Sequence, residues 1–206
     1  MIIKIYPQNP NIGDIRKIGD ILRKGGLIIY PTDTLYAFGC SMNHKKTVER
    51  MARLKGFSLN KAKFSLVCGS LSQLSEFTRP LDKDMFLLLK NCLPGPYTFV
   101  MPASGSVPRN YQNPNKTIGL RVPDNSICSA IVEELGEPLI STSVRLENQE
   151  QESEYLTDPE LIHDLFSDKV DCVVDGGIGT DIPSTVADCS KDEIEIIRET
   201  YPLFDR

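Results

Sequence analysis

The sequence predicts an α/β fold in a single domain, and three observations lead there. Short apolar runs such as Leu27–Tyr30 and Phe64–Cys68 have the length of buried strands. Between them lie stretches of helical period, the clearest being Ile12, Ile15, Ile18, Ile21 and Leu22. The chain has 206 residues, 40% of them hydrophobic and 25% charged, ordinary proportions for a protein that buries its own core. A disordered, collagen-like or disulfide-scaffold chain is thereby excluded.

The elements follow in order. Ile2 to Tyr6 alternates and reads as a first strand. Pro10 opens the first helix, and Gly25-Gly26 ends it behind Arg23 and Lys24, whose charge suits a helix C-terminus. Pro31 stops the strand that follows. A second helix is expected over His44 to Leu54, capped by Asn43 or Ser41. Two short helices near Leu71–Phe77 and Asp82–Asn91 come next, then the turn Leu93-Pro94-Gly95-Pro96 and a strand Tyr97–Met101. Residues 103–116 read as a loop. Beyond it the pattern predicts a strand at Thr117–Val122, a helix at Ser126–Leu135 and a strand at Pro138–Thr142. Glu147 to Glu154 is polar and acidic and reads as a mobile surface loop. A helix near Pro159–Phe166 and strands at Cys172–Val174, Ser184–Asp188 and Ile194–Arg198 complete the list. Strands alternating with helices argue for α/β architecture.

Composition narrows the function classes. No stretch approaches the about 20 apolar residues of a membrane span, and the start MIIKIYPQNPNIGD has no basic-then-apolar signal pattern, so a cytoplasmic protein is expected. Six cysteines are scattered without a CxxC pair and read as buried free thiols. Two histidines, His44 and His163, stand in unrelated contexts, which leaves zinc sites and histidine triads poorly supported. Net charge is −5, but residues 1–100 carry 15 Lys/Arg against 7 Asp/Glu while the remainder carries 8 against 21. The basic excess peaks between Lys45 and Lys63, where seven cations face one acid, Glu49. This distribution suggests a local anion site; a solvated helix face is the plain alternative.

The chemistry-bearing residues gather where strands end. Pro31-Thr32-Asp33-Thr34-Leu35-Tyr36-Ala37-Phe38-Gly39 places two hydroxyls, a carboxylate and a tyrosine after a buried strand, where open α/β sheets hold ligands. Thr32 and Thr34 lie on one side of an extended chain; an ordinary Asp/Thr turn is the competing reading. Gly119-Leu120-Arg121-Val122-Pro123 and Ser141-Thr142-Ser143 end two further strands, and Asp175-Gly176-Gly177-Ile178-Gly179 leads to Ser184-Thr185-Val186. Neither GxxxxGK[ST] nor GxGxxG occurs. Hydroxyls and guanidinium groups at several strand ends, without a His or Cys nucleophile, suit the binding of a small amphoteric acid and phosphates better than hydrolysis.

The ordered run GGLIIYPTDTLYAFG, LPGPYTF, GLRVP, STS, DGGIG and STVAD, followed by Arg198, resembles the YrdC/YciO family, which contains threonylcarbamoyl-adenylate synthases. The resemblance covers about residues 10–200, and the length is most similar to the YciO branch. It implies an open, twisted mixed sheet with flanking helices and a concave cavity. It also implies ATP with Mg²⁺, L-threonine and bicarbonate as substrates. Threonylcarbamoyl-AMP, which serves transfer RNA modification, and pyrophosphate would be the products. Double-stranded RNA is a further partner associated with the family. By position, Thr32, Thr34, Tyr36, Ser141 and Ser184 match the threonine side, and Arg121 matches the group that holds the threonine carboxylate. Thr117, Ser143 and Arg198 match the nucleotide side. Lys55 matches the lysine that, with Arg121, carries the chemistry, with Lys61 or Lys63 adding charge toward the triphosphate.

The sequence also departs from the synthase pattern. Lys-x-Arg reads Lys55-Gly56-Phe57, and Ser-x-Asn reads Ser141-Thr142-Ser143. The glycine expected after the late arginine is absent, Arg198 being followed by Glu199-Thr200. Lysine is a point charge and does not reproduce a guanidinium fork. Removing one such donor from a transition-state clamp costs about 10²–10³-fold in rate. The resemblance therefore implies a slowed or altered synthase. A non-catalytic protein of the same fold, binding a nucleotide or double-stranded RNA, is the alternative.

Overall fold

The computed structural model describes residues 1–59, 63–146, 154–191 and 193–203. Lys61 and residues 147–153, the core of the expected acidic loop, lie outside them. The helices are α1 (Ile12–Arg23), α2 (Lys45–Leu54), α3 (Leu71–Ser75), α4 (Lys83–Cys92), α5 (Ser126–Leu135) and α6 (Pro159–Phe166). The strands are β1 (Ile2–Lys4), β2 (Ile28–Tyr30), β3 (Ala37–Ser41), β4 (Ser65–Val67), β5 (Tyr97–Pro102), β6 (Thr117–Arg121), β7 (Leu139–Ser143), β8 (Arg145–Leu146), β9 (Glu154–Tyr155), β10 (Cys172–Asp175), β11 (Thr185–Asp188) and β12 (Glu195–Arg198). Ten of them form one mixed sheet in the order β1-β10-β2-β3-β7-β4-β6-β5-β11-β12.

Helix starts are chemically marked. Asn11, Asp82 and Asn125 each accept the backbone N–H three residues on, and Asp158 accepts that of Glu160. α2 is different. His44 sits at its N-terminus without a side-chain cap bond, and the expected caps Ser41 and Asn43 instead bond the Glu137 carboxylate. The Ser41 hydroxyl donates to that carboxylate while accepting the Asn43 N–H, so its bonds stop short of the first turn of α2.

The sequence pattern does not announce strand β3, nor the small antiparallel pair β8–β9, whose second strand begins at Glu154, the last residue of the expected acidic loop. The β3 residues Ala37-Phe38-Gly39-Cys40-Ser41 include glycine and serine, which are weak strand formers, yet all five are buried. β3 lies between β2 and β7, antiparallel to both, and this position decides its conformation. Gly39 is required there because a Cβ would come within 2.6 Å of the Tyr30 ring.

The two faces of the sheet are covered unequally. On one face Ile29, Phe38, Leu66, Phe99, Leu120 and Ile140 meet Val48 and Met51 of α2, Leu89 of α4 and Phe166 of α6 in one continuous core. On the other face α1 and α5 pack over Ile28, Tyr30, Ala37, Val67, Leu139 and Cys172. Register carries that second face onward across Ser141, Ser65 and Gly119, since Ser141 pairs with Ser65 and Ser65 with Gly119. There the apolar side chains give way to serine, threonine, glycine and arginine. Apolar area is what draws a helix onto a sheet, about 25 cal/mol per Å² removed from water. A half-face without it keeps α1 and α5 to one side and leaves a polar stretch of sheet across β7, β4 and β6.

Candidate functional site

Arg121 ends β6 on that polar half-face, with its side chain 12% exposed. Its Nη2 donates to Asp33 Oδ1 at 2.5 Å and to Thr34 Oγ1 at 2.6 Å. Thr34, 1% exposed, has its hydroxyl 3.2 Å from that of Thr32. Thr32 in turn donates to the Leu35 carbonyl and accepts the Thr34 N–H. A directed chain results, guanidinium to Thr34 to Thr32 to the backbone, and it folds the β2–β3 loop into a turn beneath Arg121. Thr32 and Thr34 do lie on one side, but as parts of a closed turn.

The neighbouring predicted hydroxyls are also internally bonded. Ser141 donates to the Phe38 carbonyl and accepts the Tyr30 hydroxyl. Burial pushes the Tyr30 phenol well above its ordinary pKa, so it stays a donor at any physiological pH. Phe99 pairs with Leu120, which puts Thr98 beside Arg121 on the same face. The Thr98 hydroxyl meets Ser184 Oγ at 3.0 Å. Arg198, on edge strand β12, donates through Nε to the Ser184 carbonyl at 2.8 Å and through Nη2 to its hydroxyl at 3.3 Å. Thr117 begins β6 and accepts the Asn113 amide. Ser143 is half-buried at the end of β7, and Lys63 is exposed just before β4.

Tyr36 has a double engagement. Its hydroxyl donates to the Gly177 carbonyl at 2.7 Å and accepts the Gly176 N–H at 3.1 Å, latching the glycine-rich loop after β10. Burial, reinforced by Asp175 and Asp158, pushes its phenol up to about 12 against the pull of the Gly176 N–H. Gly179 must be glycine, because a Cβ there would stand 2.9 Å from the Tyr36 ring.

Lys55 occupies another place. It follows the last turn of α2, is 6% exposed, and lines a cavity of about 460 Å³ with Arg53, Arg145, Phe166 and Lys169. None of the Arg121, Asp33 and Thr34 cluster lines that cavity. Phe57, standing where the synthase pattern has arginine, is 39% exposed. Among the described residues no group of three or more His, Cys, Asp and Glu is arranged to hold a metal ion. No helix among them is long and apolar enough to cross a membrane.

Against known proteins, residues 20–200 match the family model for Sua5, YciO and YrdC, described as "Telomere recombination". The chain belongs to the Sua5/YciO/YrdC family. It is 41% identical to Escherichia coli YciO over 95% of this chain and 93% of that protein. The crystal structure of E. coli YciO superposes with a TM-score of 0.88, covering 97% of this chain and 95% of that one. Threonylcarbamoyl-AMP synthase from Coxiella burnetii is 30% identical over 84% of this chain and 91% of its own length. P. abyssi Sua5 complexed with L-threonine has a TM-score of 0.85 at 26% identity, over 96% of this chain and 57% of that longer protein. These matches bear out the expected family and the open mixed sheet.

Sequence reasoning passed over Asp33, Tyr30, Thr98 and Arg145 as site residues. Asp33 did carry a signal, a carboxylate flanked by two threonines right after a strand. The other three had none, because only sheet register and the α2–α6 packing bring them to their neighbours.

Proposed function

We propose that this YciO-type chain binds MgATP, L-threonine and bicarbonate and makes threonylcarbamoyl-AMP with release of pyrophosphate. The single observation that carries the reading is the half-buried Arg121 guanidinium, held by Thr34 and Asp33 on a sheet face of small hydroxyls, in a family that includes threonylcarbamoyl-AMP synthases. A guanidinium so placed suits the carboxylate of a small amino acid. The threonine amine and bicarbonate condense to a carbamate with loss of water. A carbamate oxygen then attacks the α-phosphorus, the bond from that phosphorus to the bridging oxygen breaks, and pyrophosphate leaves with the electron pair.

Magnesium enters as part of the nucleotide substrate, bound by its phosphates. Arg198, which bonds Ser184 next to Thr98, would offset phosphate charge on the Arg121 face, whereas Lys55 lies in its separate cavity. With Phe57 in place of an arginine, turnover about 10²–10³-fold below a complete synthase is expected. Pyrophosphate release by the purified protein, measured with ATP, Mg²⁺ and bicarbonate, tests the reading. Release that needs both L-threonine and bicarbonate supports it; release indifferent to either sinks it.

A second reading has an observation of its own, the Lys55 cavity whose described walls carry Arg53, Arg145 and Lys169. In that reading the chain is a non-catalytic binder of a nucleotide or of double-stranded RNA. RNA affinity that falls steeply with added salt would favour it, as phosphate contacts release counterions.

A further inference from the structure

The Arg121 guanidinium offers a carboxylate two forked approaches, the pair Nη1 with Nη2 or the pair Nε with Nη2. Every hydrogen bond described for it leaves from Nη2, and both partners, Asp33 and Thr34, come from the β2–β3 loop. Nε is buried and has no partner among the described residues. Asp33 is itself pinned from a third direction. Its Oδ2 accepts the Asp124 N–H at 3.0 Å, one residue before the Asn125 cap of α5. The Asp33 side chain is only 10% exposed. One carboxylate thus ties together the β2–β3 loop, the end of β6 and the entry to α5.

We infer that Asp33 is the positioning residue of the site: with Thr34 it takes both Nη2 hydrogens and so leaves the two Nη1 hydrogens as the donors that face the ligand carboxylate. The inference rests on the reading that Arg121 receives the amino-acid carboxylate, and it goes beyond that reading by assigning Arg121's direction to Asp33. Neutralising the guanidinium has a chemical consequence. The ligand carboxylate then meets a nearly uncharged pair and is selected by hydrogen-bond direction more than by charge, which disfavours simple inorganic anions.

The test uses the full-length protein labelled with ¹⁵N-arginine, with Asp33→Asn, Asp33→Glu and Arg121→Lys as variants. Arg121→Lys assigns the Arg121 Nε–H signal by its disappearance. Wild type is expected to give one sharp, slowly exchanging Nε–H signal, and Asp33→Asn to broaden or lose it. In Asp33→Asn, L-threonine binding by calorimetry should weaken at least about 10-fold and the KM for threonine should rise more than kcat falls. ATP binding should stay within about twofold. Asp33→Glu should restore part of the threonine affinity. An unchanged Nε–H signal in Asp33→Asn overturns the inference, as does tighter threonine binding, which would make Asp33 a plug. If threonine neither binds wild type nor shifts the Nε–H signal, the threonine reading falls. The Asp33 assignment is then still decided by the signal in Asp33→Asn.

Discussion

At the scale of single residues, the polar face is built from side chains that already have hydrogen-bond partners, and this makes mutational effects readable. Arg121→Ala removes the guanidinium and leaves the Asp33 carboxylate, 10% exposed, without its cation. Breaking a buried pair by removing one partner costs about 3–5 kcal/mol. We expect Arg121→Ala to lose threonine binding and to lower Tm, and Arg121→Lys to restore most of the Tm without restoring binding; calorimetry and thermal melts separate the two. Tyr36→Phe should behave differently. It removes the bonds that the hydroxyl makes with the Gly176 N–H and the Gly177 carbonyl, at about 0.5–1.5 kcal/mol each. Faster amide exchange confined to the glycine-rich loop after β10 is the expected signature. Thr34 and Arg121 were legible in the sequence because hydroxyls and arginine at strand ends are chemically conspicuous. Tyr30 was not, since an apolar run ending in tyrosine looks like core until register sets it beside Ser141.

At the scale of elements, local rules explain most of the helices. Asn125 caps α5, and Gly136 closes it with φ of +77°. Asn125→Ala is expected to destabilise by about 1 kcal/mol. Gly136→Ala, which forces a Cβ into the left-handed region, should cost about 1–2 kcal/mol. Denaturant melts of the two variants test these values, and near-additivity in the double variant is expected because the sites lie at opposite ends of one helix. α2 and β3 are the elements where local rules fall short. The side chains that flank α2 bond Glu137 instead of its backbone. β3 adopts strand geometry because β2 and β7 offer hydrogen bonds on both sides, whatever the propensity of Gly39 and Ser41.

At the scale of the whole molecule, burial sets the acid–base behaviour of the thiols. All six cysteines are buried and none is in a disulfide. Burial pushes Cys40, Cys128 and Cys189 up to about 12 and Cys172 up to about 11, and raises Cys68 as well. An unfolded thiol ionises near about 8.5. The folded state therefore holds these protons while the unfolded state releases them. Stability is full below the unfolded pKa and declines as pH climbs toward the folded values, by about 1.4 kcal/mol per pH unit for each thiol in that window. We predict a steep alkaline loss of stability beginning near pH 9, and no reaction of the native protein with a thiol reagent at pH 8. Urea melts from pH 7 to 10.5 check the first; thiol titration before and after denaturation checks the second.

The sequence by itself determined the alternation of strands and helices, the apolar half of the core, the family and the chemical types at the strand ends. Those properties reside in short windows, where side-chain size, turn residues and period act between near neighbours. Tertiary structure alone decided that Asp33, Thr34 and Arg121 form one hydrogen-bonded unit across 88 residues of chain. It also decided that Lys55 belongs to a cavity with Arg145 and Phe166, away from the Arg121 cluster. The physical reason is that strand order and register are properties of the whole sheet. Ten strands choose their neighbours by hydrogen bonding and by the helices that cover them, and no window of the chain contains that choice.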